Sequence, residues 1–335
     1  MTIIELVLSA VAIVVAAAFF TNAVEILGGR LNLGAGAVGS VLAAVGTALP
    51  ETMIPIVAVI ASLLTGSDAA GDIGVGAILG APFLLATLAM FVVGVSVLTF
   101  QRRRETDDDV VIDMGTAKRD MLYFLVFFAL GAAAGLVPLP FYVKVALAIV
   151  LMVAYGLYVL QTIKHGGEQE EDPPQNLTLW PSSSEAPTWA VAAQVLGTIA
   201  VMGAGAHFFV HAVEHLSKSV GIPAGLIALV LAPLATELPE KFNSVIWLRK
   251  NKDTLALGNI AGAMVFQSSV PVAVGLVFTS WRLDFLSILS AALALLGGAY
   301  LYLLLMRQKQ MEGEHLLVGG ALYAVFVVVA LISIL

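Results

Sequence analysis

The same short phrase occurs twice in this sequence, and each time it sets a glutamate inside a long apolar run. Ala43-Ala44-Val45-Gly46-Thr47-Ala48-Leu49-Pro50-Glu51 is echoed by Ala232-Pro233-Leu234-Ala235-Thr236-Glu237-Leu238-Pro239-Glu240. A charged carboxylate in hydrocarbon costs about 3 kcal/mol or more and persists where it faces a cavity, a partner or an ion. Glu51 and Glu240, the hydroxyls of Thr47 and Thr236, and backbone carbonyls together make an all-oxygen ligand set. Such sets suit hard cations such as Ca²⁺, Mg²⁺ or Na⁺. Pro50 and Pro239 are expected to break the helices beside the acids and so release those carbonyls. The competing reading, that each glutamate only bonds a neighbouring helix, must account for the match twice. Glu237 adds a third acid, three residues before Glu240 and so on about the same helical face. It either joins the cation site or pairs locally with Lys241.

The elements that carry these acids must lie in lipid. Of 335 residues, 60% are hydrophobic and only 12% are charged, against about 25% charged in soluble domains. Apolar windows of spanning length fall at 3–27, 35–65, 72–99, 120–137 and 141–162. Five more follow at 188–216, 222–248, 254–279, 283–306 and 315–335. The window at 120–137 is the weakest, because Pro138 and Pro140 cut it short. The first window lacks a basic flank and reads as a retained helix. The expectation is therefore an all-α integral membrane protein with ten transmembrane helices. They form two groups of five, residues 1–162 and 188–335, joined by a polar acidic linker at 163–187. With no cysteine there is no disulfide, thiolate metal site or cysteine nucleophile. The net charge of −7 argues against nucleic-acid binding.

Loop charges orient this plan. With the N-terminus outside, the inner loops hold 12 basic residues: Arg30, Arg102, Arg103, Arg104, Lys118, Arg119, Lys164, Arg249, Lys250, Lys252, Arg307 and Lys309. The outer side keeps Lys144, Lys218 and Arg282. Basic loops mark the cytoplasmic side, so both termini are expected outside and the linker in the cytoplasm.

The two groups of five also match in sequence. At an offset of 189, Glu25 meets Glu214, Thr47 meets Thr236, and Pro50-Glu51 meets Pro239-Glu240. At 182, Gly76, Ile78, Gly80 and Ala81 meet Gly258, Ile260, Gly262 and Ala263. Five is odd, so the two units insert in opposite orientations. That is the inverted-repeat plan in which rocking about a midplane site gives alternating access.

The blocks 46–51 and 235–240 resemble the G-T-S-L-P-E signature of the calcium/cation antiporter superfamily, the sodium/calcium exchanger-like proteins. The segment 258–263 resembles that family's following G-N-x-x-G-S. The resemblance covers nearly the whole chain. It implies a ten-helix inverted-repeat fold and ion-coupled Ca²⁺ efflux, with the signature glutamates as ligands, and no enzyme activity or bound cofactor. The partners would be inorganic cations and the bilayer, in a prokaryotic plasma membrane, and a monomer would suffice. This sequence departs from the pattern in ways that bear on coupling. The signature serine is Ala48 in one repeat and Glu237 in the other. Ala77 stands opposite Asn259. Ala81, Pro82 and Leu85 replace polar positions, and Gln267 stands in for the last asparagine of the second repeat. The expected ligand set is Glu51, Glu240, Thr47, Thr236, Glu237, Asn259 and Gln267. Lost sodium-route polar groups and a gained carboxylate favour H⁺ over Na⁺ as the coupling ion.

The sixth window carries His207, His211, Glu214 and His215 on one helical face. They read as interfacial polar groups, as a proton relay, or as a metal site that an intramembrane hydrolase could use. The chain has no His-Glu-x-x-His to support the hydrolase. Glu25 and Glu214, matched across the repeats, could line entry vestibules or anchor helix ends. A passive cation channel is the remaining alternative, against which the inverted repeat argues. The run Arg102-Arg103-Arg104-Glu105-Thr106-Asp107-Asp108-Asp109 lacks the glycine and spaced acids of a calcium loop and reads as a solvated charge run.

Overall fold

A computed structural model describes residues 2–30, 38–165, 176–180, 185–307 and 311–334. It describes their side chains except at 28, 29, 38–50, 163, 165 and 238–243. The apolar windows are helices: α1 (Thr2–Arg30), α2 (Val38–Thr65), α3 (Asp68–Arg103), α4 (Met114–Leu136), α5 (Phe141–His165), α6 (Thr188–Val220), α7 (Ala224–Arg249), α8 (Asp253–Phe278), α9 (Phe285–Arg307) and α10 (Gly313–Ile334). Among the described residues, eight of these are long and apolar enough to cross a bilayer. In α2 and α7, which carry the acidic phrases, the described apolar stretches are the shorter Glu51–Thr65 and Ala224–Glu237.

Local chemistry sets the helix ends. Ser67 caps α3 by accepting the Ala70 N–H at 3.2 Å. Asp113 caps α4, accepting from Gly115 N–H at 3.0 Å and from the Thr116 hydroxyl at 2.6 Å. The Thr116 bond, first, holds the Asp113 carboxyl below its ordinary range. This cap lengthens the window that seemed too short: α4 starts six residues earlier than expected and reaches 23 residues. Gly221, at φ 71°, closes α6 in the left-handed conformation that suits glycine.

One expectation about the helices fails. Pro50 and Pro239 do not break α2 and α7, which run helical through both positions. Each proline still lacks an N–H, so the carbonyls of Gly46 and Ala235 lose their i→i−4 donors while the helix continues. The interruptions come one helix later. α3 passes through a π-helical turn at Leu85–Ala89, after Pro82. α8 breaks at Ser268 and Ser269, where both hydroxyls bond the Val265 carbonyl, at 3.0 and 2.8 Å, and Pro271 starts the second half. At the offset of 182, Leu85 matches Gln267 and Thr87 matches Ser269. The two third helices of the repeats are therefore interrupted at the same place.

Close packing holds these helices in register. A Cβ on Gly76 would lie 2.1 Å from the Gly225 carbonyl oxygen, and one on Gly80 would lie 2.1 Å from that of Leu229. Only glycine lets α3 and α7 touch backbone to backbone. α1 packs along α6 with Ile13 against Gly205. One apolar core, including Ile13, Ile54, Ile73, Phe209 and Ile227, joins α1, α2, α3, α6 and α7. A larger one, around Phe83, Phe124, Phe128, Met264 and Phe326, joins α3, α4, α8, α9 and α10.

Polar contacts sort the helix ends onto two faces. On one, Arg104 is buried and forks onto Asp253, with Nη1–Oδ1 at 2.8 Å and Nη2–Oδ2 at 2.7 Å. It also donates to the carbonyls of Leu248, Asp107 and Asp109. The 102–109 run is thus not merely solvated: its third arginine staples the α3 end to the α7–α8 corner. Asp109–Val110 pairs antiparallel with Met311–Glu312, which brings in the α9–α10 loop. Tyr123 donates to Gln161 at 2.9 Å, so the α5 end, where the linker starts, lies on this face too. Arg30 bonds the Ala186 carbonyl at the end of the linker. Linker residues 176–180 fold back on α1 and α6, with Leu177 buried and Asn22 bonded to Asn176 and Thr178. On the opposite face, Ser67 meets Glu214, Glu5 meets His211, and Lys144 meets the Ser280 carbonyl.

Gly76→Ala and Gly80→Ala should each cost about 1–3 kcal/mol, as overpacking against a backbone does, and lower the thermal midpoint in detergent. Gly197→Ala, with nothing within 4 Å of its added Cβ, should leave the midpoint unchanged. Arg104→Met strands the buried Asp253 carboxylate and should cost about 3–5 kcal/mol. The Arg104→Met/Asp253→Leu double variant should recover much of that loss in the same thermal measurement.

Candidate functional site

Three buried polar side chains from three helices meet inside the bundle. Glu51 comes from α2, Glu237 from α7, and Gln267 from the last turn before the break in α8. They are 6%, 0% and 1% exposed. The Gln267 amide nitrogen donates to Glu51 Oε2 at 2.7 Å and to Glu237 Oε1 at 3.0 Å. One nitrogen therefore joins the acid of the first repeat to an acid of the second. The geometry depends on the helix path: the Ser268–Ser269 break ends the first half of α8 where Gln267 can reach both carboxylates.

The other expected ligands are placed differently. Thr236 is half-buried, and its hydroxyl donates to the Ala232 carbonyl of its own helix at 3.1 Å. Asn259 is half-buried on α8, eight residues or about 12 Å of helical rise before Gln267, outside the trio. The side chains of Thr47, Glu240 and Lys241 lie outside the described residues, and the expected Glu237–Lys241 pair lies there with them.

The α6 face does not converge on the trio. His207, His211 and His215 are exposed. His211 Nδ1 lies 2.9 Å from Glu5 on α1, and its ring centroid lies 4.4 Å from that of His215. Among the described residues, no group of three or more histidines and acids is arranged to hold a metal ion. Glu214 accepts from Ser67 at 3.0 Å and ties α6 to the α2–α3 corner, while Glu25 is half-buried near the other end of α1. A largely apolar cavity with Asp113, Thr116 and Asp120 among its lining residues lies between α4, α8 and α9, apart from the trio. Reasoning from the sequence missed the hub role of Arg104 and the break at Ser268 and Ser269. The signal for the latter was the Gln-Ser-Ser-Val-Pro string at 267–271 in an apolar window.

A family model described as sodium/calcium exchanger protein matches residues 1–164 and 190–335. The chain belongs to the sodium/calcium exchanger family. As a member it is a membrane transporter of the exchanger type rather than an enzyme, which removes the hydrolase alternative. It is 26% identical over 269 residues to a protein of Alkalimonas amylolytica named antiporter CaxA, a match that spans 76% of this chain and 74% of that one. A segment of 140 residues, 40% of this chain and 31% of the other, is 26% identical to vacuolar cation/proton exchanger 1c of Oryza sativa subsp. japonica. The fold is similar to the H⁺/Ca²⁺ exchanger CAX, with a TM-score of 0.75 at 16% identity over 98% of this chain and 81% of that one. It is also similar to the sodium–calcium exchanger NCX_Mj, with a TM-score of 0.60 at 20% identity over 98% and 97% of the two chains.

A site that gathers two buried carboxylates gains stability when a cation neutralises them. Ca²⁺ at about 100 times its dissociation constant should add about 2.7 kcal/mol to wild type, read as a rise in thermal midpoint. Glu51→Gln and Glu237→Gln should each lose most of that rise. His211→Ala should keep it.

Proposed function

We propose that this exchanger carries Ca²⁺ against protons, with Glu51, Glu237 and Glu240 as the groups that bind either ion. The observation that supports it most is the shared Gln267 contact, which puts Glu237 in one cluster with Glu51. Oxygen-rich sites with several formal negative charges favour Ca²⁺. Clustered carboxylates also bind protons in competition with a cation, and they do so as a coupled set. Two protons taken up as Ca²⁺ leaves would keep the buried charge low in both states, which alternating access requires of a site that crosses the membrane interior. Ala48 and Leu85, apolar where the second repeat has Glu237 and Gln267, leave the first repeat with few side-chain ligands for additional Na⁺ ions.

In this reading residues 1–162 and 188–335 are the two inverted repeats. The basic loops around Arg104, Arg249 and Arg307 face the cytoplasm with the linker 163–187, and both termini face outside. Glu185→Cys and Thr65→Cys, introduced singly into the cysteine-free chain, should then label from opposite sides, with Glu185→Cys cytoplasmic. Labelling from the same side would remove the inverted topology.

Flux into proteoliposomes tests the transport cycle. Ca²⁺ uptake should follow an imposed pH gradient without Na⁺, and it should fall when the side that binds Ca²⁺ is acidified. Glu51→Gln and Glu240→Gln should each reduce it by well over tenfold at equal insertion, because charge count sets Ca²⁺ affinity. Glu237→Ala should flatten the pH dependence. Uptake that needs Na⁺ and ignores Glu237→Ala would return the protein to sodium coupling. Uptake without any counter-ion gradient would make it a channel.

A further inference from the structure

A primary amide has two hydrogens about 120° apart, so one nitrogen bonded to two carboxylates sets their oxygens about 5 Å apart. Gln267 Nε2 donates to Glu51 Oε2 at 2.7 Å and to Glu237 Oε1 at 3.0 Å, and with ideal amide angles those two lengths correspond to an oxygen–oxygen separation of about 5 Å. A Ca²⁺ ion bound to both oxygens at about 2.3–2.6 Å would lie almost on the line that joins them. It would overlap the amide nitrogen.

We infer that Gln267 is a built-in competitor of the transported cation: its amide nitrogen takes the place between Glu51 and Glu237 that the cation must take. This rests on the reading of Glu51 and Glu237 as cation ligands, and it adds a role that the ligand list does not contain. The amide carries partial positive charge on two donors and no net charge. It can hold two carboxylates together, but it must rotate away before a divalent ion binds both. The break at Ser268 and Ser269 directly after Gln267 places the residue at a helix end; it is 1% exposed, so the rotation must move the groups packed around it. Two hydrogen bonds to charged groups therefore oppose Ca²⁺ binding. The matched position in the first repeat is Leu85, buried and unable to donate, so the competitor works from one side of the site only.

Gln267→Met keeps the length and flexibility of the side chain and removes both donors, and Gln267→Leu is a second apolar replacement. Ca²⁺ binding to the purified full-length protein is measured by titration calorimetry at alkaline pH, where protons compete least. Variants are admitted when they elute monodisperse and keep wild-type helical content. Each admitted variant should bind Ca²⁺ about tenfold more tightly than wild type, the effect of losing hydrogen bonds to charged groups that the ion must break. Binding equal to or weaker than wild type in an admitted variant would overturn the competitor role and make Gln267 an ordinary ligand or spacer. The exchange reading fails separately, if wild type does not bind Ca²⁺ or if Glu51→Gln binds it as wild type does.

Discussion

Glu51 and Glu237 share one nitrogen in the interior of a membrane protein, and the cost of burying two carboxyl groups there is the constraint on which the site depends. An ionised carboxylate taken out of water loses several kcal/mol of solvation even after relaxation, and two side by side also repel. In the structure the Gln267 amide bonds to both of them, and in the proposed cycle a cation or protons would take over that compensation. α2 and α7 carry the acids, α8 breaks where its glutamine must reach both, and the glycine contact between α3 and α7 holds the frame close enough for the three to meet. At the loop face, the Arg104–Asp253 fork anchors α3 to the start of α8, so the broken helix is held firmly at one end.

The two repeats share a backbone plan and differ in chemistry. Both third helices are interrupted at matched positions, one by a π turn and one by a serine pair. Yet Leu85 faces Gln267 across the repeat relation, and Ala48 faces Glu237. A symmetric frame lets opposite movements expose the same site to either side. Asymmetric side chains let that site be tuned without altering the frame. The excess of titratable groups in the second repeat is what separates a proton-coupled reading from a sodium-coupled one.

Much of this was legible in the residues. Helices follow from apolar runs too long for anything else, and the repeat follows from identities at fixed offsets. The need of Glu51 for a buried polar partner follows from the cost of glutamate in hydrocarbon. Other features were not legible, for stated physical reasons. Proline was expected to break α2 and α7, but a long apolar helix packed on its neighbours tolerates one missing N–H. The interruptions lie elsewhere: a π turn follows Pro82 in α3, and in α8 two serine hydroxyls compete for a backbone carbonyl, local effects that hydropathy does not register. Arg104 looked like one of three topogenic arginines. Its burial depends on Asp253, which lies 149 residues away in sequence, a pairing that only the folded chain brings together. The α6 histidines share a face as their spacing required, but that face turns outward toward Glu5 and away from the acids.

The most direct test is to locate the cation. Crystals of the wild-type protein soaked in Sr²⁺, whose anomalous signal marks its position, should show one strong peak within bonding distance of the Glu51 and Glu237 carboxylates, with the Gln267 amide nitrogen displaced from between them. A peak confined to the Asp113–Asp120 cavity or to the Glu5–His211–His215 cluster, with the Gln267 bridge intact, would contradict the account.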